Sequence, residues 1–382
     1  MPTLLIIVSD RISSFVDKGE VIERYYNPGE VFDKVHILLT NDDQPDMGKM
    51  QHMVGHANLT LHNLPAPTYR ETFAWQSFLM RDWVRRGVEL ARQIKPDVIR
   101  TYGNYENGYL GAHIRQQLGI PLIVSLHVER DYTYRRVIAW YPTWKQRLMA
   151  ERSLVLEETT LRAADLVLPV YESIVGYAKR RGARRIQVAY NVISPSNLRR
   201  KDDYRLHTPP RILSVGRQFH EKNPDNVIRA VARLDAELTM VGDGEYHDHL
   251  VQTVRECGIS DRVHFFPSIE NDRLCAMLPE YDIFATHSDY PEISKSVLEP
   301  LLTGLPIILN TIPDHPVPEY QGDWIMLVEN TPEGYYAALN HLLTDHQARE
   351  SLGRLAYAHA QERYAPAKTE AVFASIYRSF LK

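Results

Sequence analysis

The sequence predicts an α/β protein built from two Rossmann-like domains, and three observations carry that prediction. Its 382 residues exceed what one ordinary hydrophobic core organises, so two domains of about 150 to 200 residues each are expected. Short apolar runs alternate with amphipathic stretches of ten or more residues, the pattern of parallel strands covered by helices on both faces. The alternation stops in the polar, proline-bearing stretch from Val192 to Pro210 and starts again at Arg211.

Taken in order, TLLIIVSD and KVHILLTN read as strands, followed by a helix through Phe73 to Gln93. PDVIRTYG is the next strand, then come a helix from Gly108 to Leu118, the strand IPLIVSLH and a helix near Leu148 to Ala164. DLVLPV, a helix to Arg181 and a strand RIQVAYN close the first set. The second set comprises RILSVG, AELTMVG, DRVHFFP, YDIFATH, LPIILN and DWIMLVE, with helical segments between them. A final helix, from about Ala367 to Lys382, carries Val372, Ile376 and Phe380 at helical spacing and suits packing back onto the first domain. The expected domains are therefore 1–195 and 196–366, with 367–382 returning to the first.

Composition narrows the class. The apolar runs are of strand length, short of the roughly 18 residues that a membrane span needs, and no basic-then-apolar leader precedes the first; a cytoplasmic chain is expected. Cys257 and Cys275, both in helix-like contexts, supply neither a disulfide framework nor a cysteine metal site and read as small buried residues. Net charge is −4, with 25 Lys+Arg against 21 Asp+Glu over residues 1–190 and 19 against 27 over the rest. That asymmetry is too mild for nucleic acid, yet it permits an anionic acceptor or an anionic membrane surface on the first domain, beside the plainer reading of a solvated face.

The chemistry concentrates between Arg211 and Asn310. SVGR ends a strand in a glycine turn at Gly216 and Arg217, and Lys222 follows just before a helix starting near Pro224. A guanidinium and an ammonium at that place suit a diphosphate, because Arg grips two oxygens while Lys adds a point charge. VGDGE puts Gly242 and Gly244 at a second strand end, for close approach of a ligand or simply a tight turn. Backbone groups around Ile269 stand at the next loop of the same edge. In SDYPEISKSVLEP, Glu292 and Glu299 flank a segment that becomes helical near Ser294, and a buried Glu299 there accepts two ribose hydroxyls.

His127 ends IPLIVSLH, with Glu129 and Asp131 behind it to orient it or to meet acceptor hydroxyls. Tyr134 to Arg147 mixes aromatics and cations, suiting either a membrane interface or an acceptor groove, beside the plainer reading of a partly buried helix. The sequence holds no His-Glu-x-x-His and no Gly-x-x-x-x-Gly-Lys-Ser/Thr loop, and neither His52 with His56 nor His247 with His249 has a third ligand in evidence. A site working without a metal is expected.

The order SVGR, EKN, VGDGE, DRVHFFPSI, YDIFATHS and SVLEPLLTGLPII resembles glycosyltransferase family 4, the retaining GT-B group of nucleotide-sugar enzymes. The likeness is strongest over 211–310 and looser over the first half, where it rests on LGIPLIVSLH and RIQVAYNVI. It implies two domains facing across a cleft, an acceptor domain followed by a donor domain, and hexosyl or N-acetylhexosaminyl transfer from a UDP- or GDP-sugar to a glycan, lipid-linked or small-molecule acceptor. No cofactor beyond the nucleotide-sugar co-substrate is implied, and peripheral contact with the inner face of a membrane stays open.

Carried over by residue, the resemblance makes Arg217 and Lys222 the grip on the diphosphate, Glu299 the ribose ligand and His127 a contact to the donor sugar. Ser294, Lys295 and Ser296 fall at the helix start beside the phosphates. The family's first glutamate would lie at Pro291, so Glu292 comes one residue late. The family's first glycine-rich loop is altered too, with Lys18 and Gly19 as a single-glycine substitute on the acceptor side, followed by Tyr25-Tyr26-Asn27-Pro28. Two rival readings accompany this one: a non-catalytic nucleotide-sugar-binding subunit on a decayed scaffold, and a nucleotide-sugar epimerase.

Overall fold

The computed structural model describes residues 1–17, 21–67, 69–129, 144–193 and 198–381, the side chains of 17, 69–78 and 144–153 excepted. The chain divides into two compact units, residues 1–192 with 369–382, and residues 193–368.

Unit 1 contains six parallel strands: β1 (Thr3–Val8), β2 (Lys34–Leu39), β3 (Asn58–Asn63), β4 (Val98–Tyr102), β5 (Leu122–Leu126) and β6 (Leu166–Pro169), in the order β3-β2-β1-β4-β5-β6. The central strands β1, β4 and β5 are buried throughout because both sheet faces are covered; Leu4, Leu5, Ile6 and Ile7 are all fully buried. β3 escaped the sequence reading. Its NLTLHN is polar and half-exposed, as an edge strand beside β2 alone tolerates.

The expected strand RIQVAYN is reduced to a single bridge between Ile186 and Val167. Even so, Val167 N–H reaches the Arg185 carbonyl, and Gln187 and Ala189 reach Val167 and Pro169, so the segment runs beside β6 without becoming a regular strand.

The helices of unit 1 include α1 (Ile12–Asp17), α2 (Met47–His52), α3 (Tyr69–Ile94), α4 (Glu106–Leu118), α5 (Trp144–Ala163) and α6 (Val175–Arg180). Unit 2 repeats the layout with β7 (Arg211–Val215), β8 (Glu237–Val241), β9 (Val263–Phe266), β10 (Ile283–Thr286), β11 (Ile307–Asn310) and β12 (Met326–Val328), in the order β12-β11-β10-β7-β8-β9. Its helices include α7 (Asp225–Val231), α8 (His247–Glu256), α9 (Asn271–Met277), α10 (Lys295–Thr303), α11 (Pro332–Thr344) and α12 (His346–Arg363). In each unit the first strand pairs with both the second and the fourth, the doubly wound arrangement whose order reverses beside the first strand.

The last helix, α13 (Pro366–Phe380), contributes Phe373, Ile376 and Tyr377 to the same buried cluster as Leu4, Ile6, Val35, Val98 and Tyr102. Glu370 anchors its start, accepting from Gly29 N–H at 3.0 Å and lying 3.2 Å from the Arg24 guanidinium. Each large apolar side chain buried this way contributes roughly 1.5–3 kcal/mol. Among the described residues no helix is long and apolar enough to cross a membrane.

Tyr377, 1% exposed, packs edge-on against Phe32 and bonds the buried Arg100. Tyr377→Ala is expected to destabilise unit 1 by about 3–5 kcal/mol in urea unfolding and to leave the transition of unit 2 in place.

Candidate functional site

Because β7 and β10 pair in parallel, with Ile283 opposite Ile212, the segments leaving Val215 and Thr286 start side by side where the strand order reverses. Ligands of open α/β sheets bind at such points. After β7 the chain passes through Gly216, Arg217 and Gln218 into a 3-10 turn, His220–Lys222. After β10 it passes through His287 to Ser294 before α10 begins.

Three contacts lace these segments together. Asp289 N–H donates to the Glu221 carbonyl at 2.9 Å, Asn223 N–H donates to His287 Nδ1 at 3.1 Å, and Lys222 Nζ donates to Glu292 Oε1 at 2.5 Å. The ammonium also lies 5.4 Å from the Tyr290 ring centroid, and the Tyr320 hydroxyl donates to the Glu292 carbonyl at 2.7 Å. Lys222 and Glu292 are 15% and 24% exposed, so screening is limited and the pair fixes the position of both heads. Glu292, one residue late in sequence, is thus the carboxylate that meets Lys222.

Arg217 stands apart from that pair. It is exposed, has no ion pair among the described residues, and lies over the Phe219 ring at 4.9 Å. Gly216 has open space where a Cβ would stand. Gly242 and Gly244 are glycines for a different reason. A Cβ on Gly242, whose φ is +139°, would come 1.9 Å from the Gly216 carbonyl oxygen, and one on Gly244 would come 2.2 Å from that of Gln218. What approaches them is the chain's own β7 loop. Gln218, 2% exposed, completes the clasp by donating to the Gly242 carbonyl at 2.8 Å and meeting His247 Nδ1 at 2.7 Å.

A small pocket lined by Ser214, Gly216, Gln218, Lys222, Pro224 and Thr286 lies at this edge. Ile269, half-buried, occupies the loop after β9.

α10 begins at its N-cap Ser294, whose hydroxyl lies 2.9 Å from that of Ser296. Glu299, one turn in and 3% exposed, accepts from Asn271 Nδ2 at 2.8 Å and has Lys295 Nζ at 3.8 Å. Burial, with the Glu299 carboxylate adding to it, pushes the neighbouring Cys275 thiol up. Cys257 is the one cysteine placed differently from expectation, since it caps the C-terminus of α8 and is only half-buried.

In unit 1, His127 follows β5 with its ring 6.1 Å from that of Tyr102, and the Tyr171 hydroxyl donates to its carbonyl at 2.5 Å. Its Nε2 is buried without a hydrogen-bond partner among the described residues. Burial, then the nearby Arg100 charge, pushes the His127 pKa down from 6.5 to about 4. Glu129, expected to orient this ring or to meet acceptor hydroxyls, pairs with Arg180 at 2.8 Å. Lys18, Gly19 and Asp131 lie outside the described residues, as does Tyr134 to Pro142.

The histidine pairs have separate partners, His247 with Gln218 and His249 with Asp225 at 3.1 Å, while His56 meets Glu30 at 2.6 Å.

Two site residues escaped the sequence reading. His287, 3% exposed, follows β10 as His127 follows β5, and the same signal of an apolar strand running into histidine stood in YDIFATH. Arg100, 3% exposed, was visible as a lone cation inside VIRTY.

Two family models match, "Glycosyl transferase 4-like domain" over residues 32–191 and "Glycosyl transferases group 1" over residues 198–359. The chain is 25% identical over 267 residues to a 2-deoxystreptamine glucosyltransferase of Streptomyces kanamyceticus, covering 64% of this chain and 68% of that one. It is 26% identical over 315 residues to a D-inositol 3-phosphate glycosyltransferase of Salinispora tropica, covering 70% and 63%. The aligned stretches span from 51% to 68% of the first curated relatives' own lengths. The Anabaena HepE structure in complex with UDP superposes with a TM-score of 0.72 over 99% of this chain and 100% of that one, at 17% identity. At that identity the likeness shows the fold.

Gly242→Ala is expected to cost at least about 2–3 kcal/mol in chemical unfolding, from the positive φ and the clash with the Gly216 carbonyl together. For His127 the folded pKa is depressed, so the unfolded chain binds more protons below pH 6.5. Stability of unit 1 therefore falls as pH drops from about 6.5 towards about 4, and a pH series of urea melts should show that limb flattened in His127→Gln.

Proposed function

The chain belongs to the GT4-type glycosyltransferase family that these two models describe, and from that premise we propose that it transfers a hexosyl or N-acetylhexosaminyl group from a nucleoside-diphosphate sugar to a hydroxyl acceptor, with retention and without a metal. The observation that carries the reading is the laced pair of loops at the carboxyl ends of β7 and β10. Lys222, Glu292, the start of α10 and the buried Glu299 belong to that one edge, with the exposed Arg217 beside it. UDP is the favoured base, supported by the HepE structures in complex with UDP and with UDP-glucose.

In this reading unit 2 holds the donor. Glu299 accepts from the ribose hydroxyls, Arg217 swings its guanidinium onto the diphosphate, and Lys222 adds a second cation from its fixed place against Glu292. The N-terminal end of α10 adds positive potential. The bond from the anomeric carbon to the β-phosphate oxygen breaks, the acceptor oxygen bonds to that carbon on the same face, and the acceptor proton passes to the departing phosphate oxygen. Stabilising negative charge on that leaving group is the main catalytic task, which two cations and a helix end suit. Acceptor binding falls to unit 1.

Purified chain is incubated with UDP-sugars and an acceptor panel, with and without EDTA, and the anomeric configuration of the product is read by NMR. Transfer that survives EDTA, with retention, is expected. Arg217→Ala should lose on the order of 100-fold or more in rate while staying folded. Saturating UDP, at about 100 times its Kd, should add roughly 2.7 kcal/mol of stability to the wild type. Undiminished transfer in folded Arg217→Ala would remove that residue from the diphosphate. Conversion of the donor with no acceptor present would point to epimerisation, and UDP binding with no turnover on any acceptor to a non-catalytic subunit.

A further inference from the structure

Among the described residues of unit 1, one buried cation has no acid beside it. Arg100 stands inside β4, 3% exposed, and among the described residues has no carboxylate partner. Its guanidinium is held by hydroxyls and rings alone. Nε donates to Ser125 Oγ at 3.0 Å and one terminal nitrogen to the Tyr377 hydroxyl at 2.8 Å, while the Tyr102 and Phe373 ring centroids each lie 4.4 Å from its central carbon.

Aromatic faces and neutral hydroxyls offset part of the cost of taking a charge out of water, and a matching anion offsets far more. Arg100 lines a small pocket with Tyr25, Tyr102, His127, Asn191 and Phe373. His127 Nε2, buried and unpartnered, belongs to the same pocket. A buried polar atom without a partner is uncommon in folded proteins, and here it coincides with a cation lacking its counter-ion.

We propose that this pocket is an oxyanion subsite, in which the Arg100 guanidinium and His127 Nε2–H hold a phosphate or carboxylate group carried by the sugar acceptor. The planar fork of arginine matches either group with two parallel bonds, which an ammonium does not offer. Assignment of the anion to the acceptor rests on the transfer reading above; the affinity of the pocket for an oxyanion does not. The subsite also accounts for a sequence oddity, a cation in the middle of a fully buried strand of a parallel sheet.

The test titrates the full chain, in the Arg217→Ala background, with sodium phosphate and separately with sodium acetate against sodium chloride at matched ionic strength, reading heat and melting temperature. Saturable binding of one or both is expected, weakened about tenfold or more by Arg100→Gln and to a lesser degree by His127→Gln. The stronger of the two anions then separates a phosphate-bearing acceptor from a carboxylate-bearing one. UDP titration of the chain with native Arg217, alongside its Arg100→Gln variant, reports unit 2 independently and should be unchanged by that substitution.

Absence of saturable phosphate and acetate binding in a chain that binds UDP would overturn the subsite, as would undiminished binding in folded Arg100→Gln and His127→Gln. If Arg100→Gln fails to fold, His127→Gln alone decides. Anion binding that depends on Arg100 in a chain that ignores UDP would uphold the subsite and overturn its link to the acceptor.

Discussion

Direct parallel pairing of β7 with β10 is the constraint on which the chemistry of unit 2 depends. The two strands are about seventy positions apart, yet Phe284 lies opposite Leu213, so their exit loops leave the same edge together. Reversal of strand order at that point sends the chain to opposite sides and leaves a gap between the loops. The contacts among Glu221, Lys222, Asn223, His287, Asp289 and Glu292 then fix the two loops to each other. The clasp of Gln218 and Gly242 does the same on the β8 side. A cation and a carboxylate that would each be flexible alone are held by backbone that has no alternative register.

Much of this was legible because parallel strands buried on both faces announce themselves as apolar runs. TLLIIV, LIVSL and RILSV are of that kind, and all three are strands of the sheets. NLTLHN was not legible, since an edge strand with half-exposed side chains has no apolar signature. RIQVAYN failed in the opposite way: its alternation is correct for a strand, but its bonds to β6 amount to one regular bridge. Sequence spacing did indicate which glycines sit at strand ends. It did not indicate what approaches them, because the carbonyl oxygens of Gly216 and Gln218 reach Gly242 and Gly244 only through the fold. Long-range partners were the hardest part: the pairing of Lys222 with Glu292 and of Glu129 with Arg180 depends on loop paths that a single sequence leaves undetermined.

Buried charge is held in more than one way. In unit 2, Lys222 meets Glu292 and Glu299 meets Asn271 and Lys295, while the buried Arg349 and Lys201 donate to backbone carbonyls. In unit 1 the Arg100 guanidinium is surrounded by Tyr102, Phe373 and Tyr377, with a histidine nearby that burial keeps neutral. The first arrangement rigidifies a framework already satisfied within the protein. The second stores an imbalance, and preorganised imbalance of that sort is what an incoming charge of opposite sign exploits.

The return of α13 to unit 1 sets an order of assembly. Phe373, Ile376 and Tyr377 belong to the core that also contains β1, far upstream in the chain, whereas unit 2 lies between residues 193 and 368. During synthesis the second unit can therefore complete its own core while the first still lacks a wall. β1 and β2 complete their core only once α13, synthesised after unit 2, packs on them, and contacts that close so long a loop form slowly. Until then part of the apolar side of β1 and β2 lacks its cover, the condition under which partly folded chains are prone to aggregate.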